Sequence, residues 1–306
     1  MFRLFTSALL QAWFLALAVG AYSVLAVEAV QPPYAKLAEL PIGELEAAVT
    51  LAVSMLLIFR TNRAYERWWE ARTLWGTLVN VSRNLAVKAR EIVRPDADER
   101  AAFADLIVTF CKVLRIHLRG ERHFEQVGVD ADPLPRHVPS YIVGRLYDVL
   151  SGWNQQGRLS DEKLRILDRE LRVFLDVCGA CERIRNTPVA VSWRTLVRQV
   201  LLLYVIALPW GLADDFQYWT IPMSILISYA VIAGEAIAHY IEEPFGKDED
   251  HLQLEAICAA IETSVREILE SEPAASVEAT DSRFRADDVG RERAAPSAHE
   301  KSPRLP

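Results

Sequence analysis

Apolar residues in this chain gather in four runs. Residues 4–27 are apolar but for Gln11 and a few hydroxyls, and residues 49–59, 199–213 and 219–233 carry no charge. Extended through weakly polar neighbours, these runs reach the length that a bilayer's hydrocarbon core demands. They predict membrane spans at 4–27, 43–59, 196–213 and 220–241. The first run follows a short basic flank, as a signal peptide does. It is too long for the apolar part of one, so a retained membrane helix is expected. Pro32, Pro33 and Pro41 rule out a continuous helix between the first two spans, and Pro209 marks a kink site in the third.

Between and after the runs the pattern changes to helical periodicity. Leu74, Leu78, Val81 and Leu85 recur at three and four, as do Phe103, Leu106, Phe110 and Val113. Residues 141–150, 161–185 and 251–269 read as further helices. Ser160 is an N-cap candidate, with Lys163 rather than Glu three residues on, so no capping box forms there. Residues 121–140, rich in Pro, Gly and charge, read as a loop. From residue 271 Ala, Ser, Pro and mixed charge dominate, the composition of a disordered tail. The reading is an all-α integral membrane protein: one domain over 1–270, with helical aqueous regions at 60–195 and 242–270, then a tail over 271–306.

Composition sharpens this. Of 306 residues 51% are apolar and 25% charged, so the charge is concentrated outside the spans. Residues 60–198 hold 24 of the 34 basic residues against 18 acids, a net +6. The connections at 28–46 and 214–215 hold six acids against Lys36 alone. Basic flanks belong on the cytoplasmic side, which puts both termini and the large helical region in the cytoplasm and the spans in the inner membrane. Cys111, Cys178, Cys181 and Cys258 then sit where thiols stay reduced. Cys178 and Cys181 form a CxxC. That spacing suits a redox or metal site, but no second CxxC or paired His motif accompanies it, and packing thiols are the plainer reading. The chain has no P-loop, GxGxxG, GxSxG or HExxH, and its six His are scattered. No enzyme activity, cofactor, metal or nucleic-acid partner is expected.

Two features could carry function. Leu51, Met55 and Phe59 stand at i, i+4 and i+8, one stripe of one helix. Such a stripe commonly packs against neighbouring helices, yet a ring of copies would form a constriction that gates ions by dewetting. Beyond Phe59 the stripe turns polar through Asn62, Glu66 and Thr73, as the lining of an aqueous vestibule would. Arg63–Glu66 and Arg67–Glu70 are spaced to offset each other on the helix surface. Glu235 lies inside the fourth span, with His239 one turn later. An intramembrane acid is a functional candidate; pairing with His239 or Arg198 is the packing alternative.

The segment FRTNRAYERWWEARTLWGTLVNVSR, residues 59–83, resembles the signature after the second span of the bestrophin family, above all its bacterial branch. Arg67, Trp68 and Trp69 are its most diagnostic residues. EEPFG at 242–246, with Pro244, Phe245 and Gly246, follows the fourth span, and CERIRNTP at 181–188 precedes the third. The matches occur in order along residues 1–270. The resemblance implies a homopentameric ion channel with a central pore, each subunit giving four membrane helices to the bilayer. Aligned through Arg67-Trp68-Trp69, the family's neck residues fall on Leu51, Met55 and Phe59, and a second narrowing, at the cytosolic aperture, falls near Ile184. Animal members continue past PFG with an unbroken acidic run that helps bind calcium. Here Lys247 opens and His251 closes the run Asp248, Glu249, Asp250. Calcium favours six to eight oxygen ligands, so no calcium clasp is expected.

The resemblance leaves selectivity open, because animal members conduct anions while bacterial relatives resemble cation channels. The outer connections, −5 per subunit and −25 for five, would concentrate cations at the mouth. Monovalent cations are therefore the expected permeant ions. The alternative from another class is a non-conducting membrane scaffold or sensor whose helical cytosolic region binds partners. An enzyme using Cys178 and Cys181 stands behind both.

Overall fold

A computed structural model describes residues 7–30, 42–129, 131–248 and 251–271. Among them the regular structure is helical throughout, without a strand. Helix α1 (Ser7–Val30) is almost uniformly apolar. Helix α2 (Ile42–Lys88) carries the apolar run and the charged, Trp-rich segment without a break. It holds no Pro, and its glycines, Gly43 and Gly76, lie outside the transition. Its 47 residues span about 70 Å, more than twice a hydrocarbon core of ~30 Å. A π turn (Ala89–Val93) ends it, Arg94 takes a left-handed φ of 53°, and Pro95 prevents continuation.

Side-chain caps start α3, α4 and α5 but not the later helices. In α3 (Ala97–Arg119) the Asp96 carboxylate accepts from the Glu99 N–H and the Glu99 carboxylate accepts from the Asp96 N–H, a complete capping box. Gly120, at φ 73°, closes its far end. Helix α4 (Val138–Gln155) starts within the segment read as a loop, which also contains a 3-10 turn (Phe124–Val127). Ser160 caps α5 (Asp161–Asn186) by accepting from the Lys163 N–H. Helix α6 (Val191–Phe216) continues through Pro209, and a short 3-10 turn (Gln217–Trp219) leads into α7 (Thr220–Glu242). Helix α8 (Leu254–Glu270) starts later than its periodicity suggests. His251 belongs to the turn before it: Nδ1 accepts from the Asp248 N–H at 2.9 Å, and the Leu252 N–H donates to the Pro244 carbonyl at 2.9 Å.

Two apolar cores follow from the two halves of α2. Val53 packs with Val197, Leu201, Tyr204, Val205 and Leu208 of α6. Trp75, Leu78 and Leu85 instead join Phe103, Phe110 and Phe174 in a larger core formed by α3, α4, α5 and α8. Helix α1 lies against α7 and α6. Among the described residues two stretches are long and apolar enough to cross a membrane: Leu9–Val30 and Val191–Glu242, the second containing both α6 and α7. Arg3, the connection with Pro32, Pro33, Glu39 and Pro41, the side chains of Glu44 and Glu46, Glu249, Asp250 and the tail from 272 lie outside the described residues.

Candidate functional site

The uncovered face of α2 is the first element of the site. Leu51, Met55 and Phe59 are 70%, 56% and 54% exposed, although the neighbouring Val53, Arg60 and Ala64 are buried. The face continues through Asn62, Glu66 and Thr73, all exposed. One helical stripe therefore runs from apolar to polar on an open surface. Arg63 and Glu66 lie 3.5 Å apart on it, a loose surface pair.

Behind the stripe, where α2 changes character, a charged network joins three helices. Arg60 is only 1% exposed. Its Nε meets Glu235 at 3.2 Å and its Nη1 meets Glu242 at 2.7 Å, while Arg198 approaches Glu235 at 3.4 Å. Two arginines and two glutamates balance, as buried ions must. Glu235 is thus compensated by Arg60 and Arg198 rather than by His239, whose ring lies against Tyr240. Arg60 and Glu242 escape a reading of the sequence alone. The only hint is an Arg placed directly after an apolar run, and its partners lie 175 and 182 positions away.

Arg67 explains the signature in which it stands. Its guanidinium donates to the carbonyls of Ile184 (2.6 Å), Thr187 (2.7 Å) and Glu242 (3.2 Å). One side chain of α2 thereby satisfies carbonyls at the C-terminal ends of both α5 and α7. The expected Arg67–Glu70 pair does not form, and Glu70 instead meets Arg183 of α5 at 2.7 Å. Tyr65 stacks with both Trp68 and Trp69; Trp68 packs against the large core and Trp69 faces outward. In the EEPFG turn Phe245 is buried, and Arg119 donates to the carbonyls of Phe245 and Gly246. A Cβ on Gly246 would lie 2.3 Å from the His251 ring, so only glycine fits.

Ile184, the expected aperture residue, lies in the interior of the chain. Ile184 is 3% exposed, sealed in the large core. Helix α5 runs antiparallel to α2, since Arg183 meets Glu70 while Glu170 meets Lys88 at the far end. Ile184 therefore sits beside Arg67, close to the apolar half of α2. The large apolar side chain left uncovered at the opposite end of α5 is Ile166, 44% exposed.

All four cysteines are free and buried. Burial, with the nearby Glu182 charge, pushes the Cys178 thiol up to about 12, and burial pushes Cys181 higher still. Neither is a poised nucleophile. The acidic turn after Phe245 contains its own cation: Lys247 meets Glu121 at 2.6 Å.

Comparison with known proteins places these features. The family model of bacterial and fungal bestrophin proteins matches residues 1–267. The voltage-dependent anion channel-forming protein YneE of Salmonella typhimurium is 36% identical over 221 residues, 69% of this chain and 72% of that one. The voltage-dependent anion channel-forming protein alr2987 of Nostoc sp. is 31% identical over 241 residues, 73% of this chain and 76% of that one. A bacterial bestrophin homolog from Klebsiella pneumoniae superposes with a TM-score of 0.76 at 25% identity, covering 86% of this chain and 99% of that one. The relatives' names overturn the expectation of cation selectivity. The acids behind that expectation are spread over three helices: Glu28 stands on α1, Glu44 and Glu46 at the start of α2, and Asp214 and Asp215 on α6. Signature, fold and sequence similarity agree: the chain belongs to the bacterial and fungal bestrophin family of membrane ion channels.

Proposed function

We propose that the protein is a pentameric channel passing small monovalent anions across the inner membrane. The observation that carries this reading is the uncovered stripe Leu51, Met55, Phe59, continued by Asn62 and Glu66, on a chain whose relatives are named anion channel-forming proteins. Lipid or a dry interface would cover the apolar residues equally well. Either would also desolvate Asn62 and Glu66, at a cost that an aqueous lumen avoids. Five copies of the stripe give a hydrophobic neck opening into a polar vestibule.

In this reading α1, the apolar half of α2, α6 and α7 cross the membrane, with both termini and the large helical region cytoplasmic. Ile166 replaces Ile184 as the side chain that narrows the cytosolic exit. Calcium is not required in this reading, because Lys247 and His251 interrupt the run of acids that would supply its oxygen ligands, so chelation should leave the currents unchanged.

The test is a purified, reconstituted protein. A mass of five chains is expected in detergent, and replacing Leu51, Met55 and Phe59 together by Ala should raise single-channel conductance by easing dewetting. A monomeric mass removes the shared pore, and unchanged conductance removes the neck.

A further inference from the structure

The fold assembles a cluster that the CxxC spacing did not disclose. His117, in the last turn of α3, His137, the N-cap of α4, and Glu182 of α5 meet at one point. Glu182 Oε1 lies 2.6 Å from His117 Nε2 and 2.9 Å from His137 Nε2, and all three ligand atoms lie within 4.8 Å of one another. Cys178, one turn before Glu182 on the same face of α5, brings its Sγ to 4.0 Å from His137 Nε2. The two imidazoles pack edge to face with centroids 5.1 Å apart. All three ligand side chains are only partly buried, so an ion has access.

We infer that His117, His137 and Glu182 form a zinc site, with the fourth position taken by water or Cys178. Two imidazoles and one carboxylate suit zinc, whereas calcium and magnesium demand oxygen ligands. Bonds of ~2.0–2.2 Å to a tetrahedral ion set neighbouring ligand atoms roughly 3.3 Å apart. The two Glu182 contacts, now 2.6 and 2.9 Å, therefore have to lengthen by about 0.4–0.7 Å. Both rings must present the Nε2 lone pair, which moves the ring proton to Nδ1. His137 Nδ1 now accepts from the Ser140 N–H at 3.2 Å, so zinc binding gives up that capping bond, and the proton moved to Nδ1 is donated to Ser140 Oγ, 2.6 Å away. Arg185, bonded to the His117 carbonyl at 2.7 Å, opposes a weakly held cation and leaves the site to a metal that bonds imidazole directly. The site ties α3, α4 and α5 together two residues from Ile184, where Arg67 joins α5 to α2. It stands independently of conduction.

The experiment uses the full chain purified without a polyhistidine tag and titrated with zinc chloride, with metal content measured after dialysis. One zinc per chain and a raised melting temperature are expected. Cobalt(II) in its place should give the intense visible absorption of a tetrahedral site, and a sulfur-to-cobalt charge-transfer band assigns Cys178 to the fourth position. His117→Gln and Glu182→Gln should each weaken zinc binding by at least about tenfold. Because the cobalt spectrum needs only the unmodified chain, a variant that misfolds does not blunt the test. Zinc below one equivalent, an octahedral cobalt spectrum, or variants that bind as tightly as the unmodified chain would overturn the site.

Discussion

Arg67 acts at several places at once. It satisfies three carbonyls at the ends of α5 and α7, and charge-assisted hydrogen bonds of this kind contribute on the order of 1.5–3 kcal/mol each when isolated. The effects overlap, so Arg67→Ala should cost about 2–4 kcal/mol. Arg67→Lys should recover little, since an ammonium lacks the planar fork. Thermal melts in detergent check this, and a lysine variant that melts with the parent would contradict the latch. Glu99 offers a pH test. Arg158 grips it at 2.7 and 2.8 Å, and this holds its carboxyl below the ordinary 4.5. A depressed folded pKa stabilises above 4.5 and loses that contribution as pH falls through the folded value. Acidification below 4.5 should therefore destabilise the parent more than Glu99→Gln, and parallel melting curves would count against the pair. The Asp96–Glu99 capping box is local, but it is missed in the sequence reading, and Arg158 arrives from 59 positions away.

At the scale of elements the sequence is most informative where the pattern is local. The apolar runs fall on α1, α2, α6 and α7, and the absence of a breaker after Phe59 appears as one 47-residue helix. Ile184 shows where local pattern runs out. Motif order places it near a narrowing, but the antiparallel course of α5 is fixed by the Glu70–Arg183 and Lys88–Glu170 pairs, contacts between distant parts of the chain. The two positions should respond oppositely. Ile184→Ala removes a sealed core side chain and should cost about 2–5 kcal/mol of stability, with conductance altered only as folding fails. Ile166→Ala should leave the melting temperature nearly unchanged and alter current. Parallel melting and bilayer recordings on the two variants decide, and a destabilised Ile166→Ala with normal current would reverse the assignment.

For the whole molecule, charge has to be read by place rather than by sum. The chain's net −7 and its acidic connections point toward cations. Of those acids Glu28 stands on α1, Asp214 and Asp215 on α6, and Glu44 and Glu46 at the start of α2, while the basic excess lies in the helical region beyond Phe59. The ion that passes depends on which charges face the lumen, and one-dimensional counting does not sort charges by face. The reversal potential of the purified protein in a planar bilayer under asymmetric sodium chloride tests the central claim most directly. A shift toward the chloride equilibrium potential is predicted, and a shift toward the sodium equilibrium potential would contradict it.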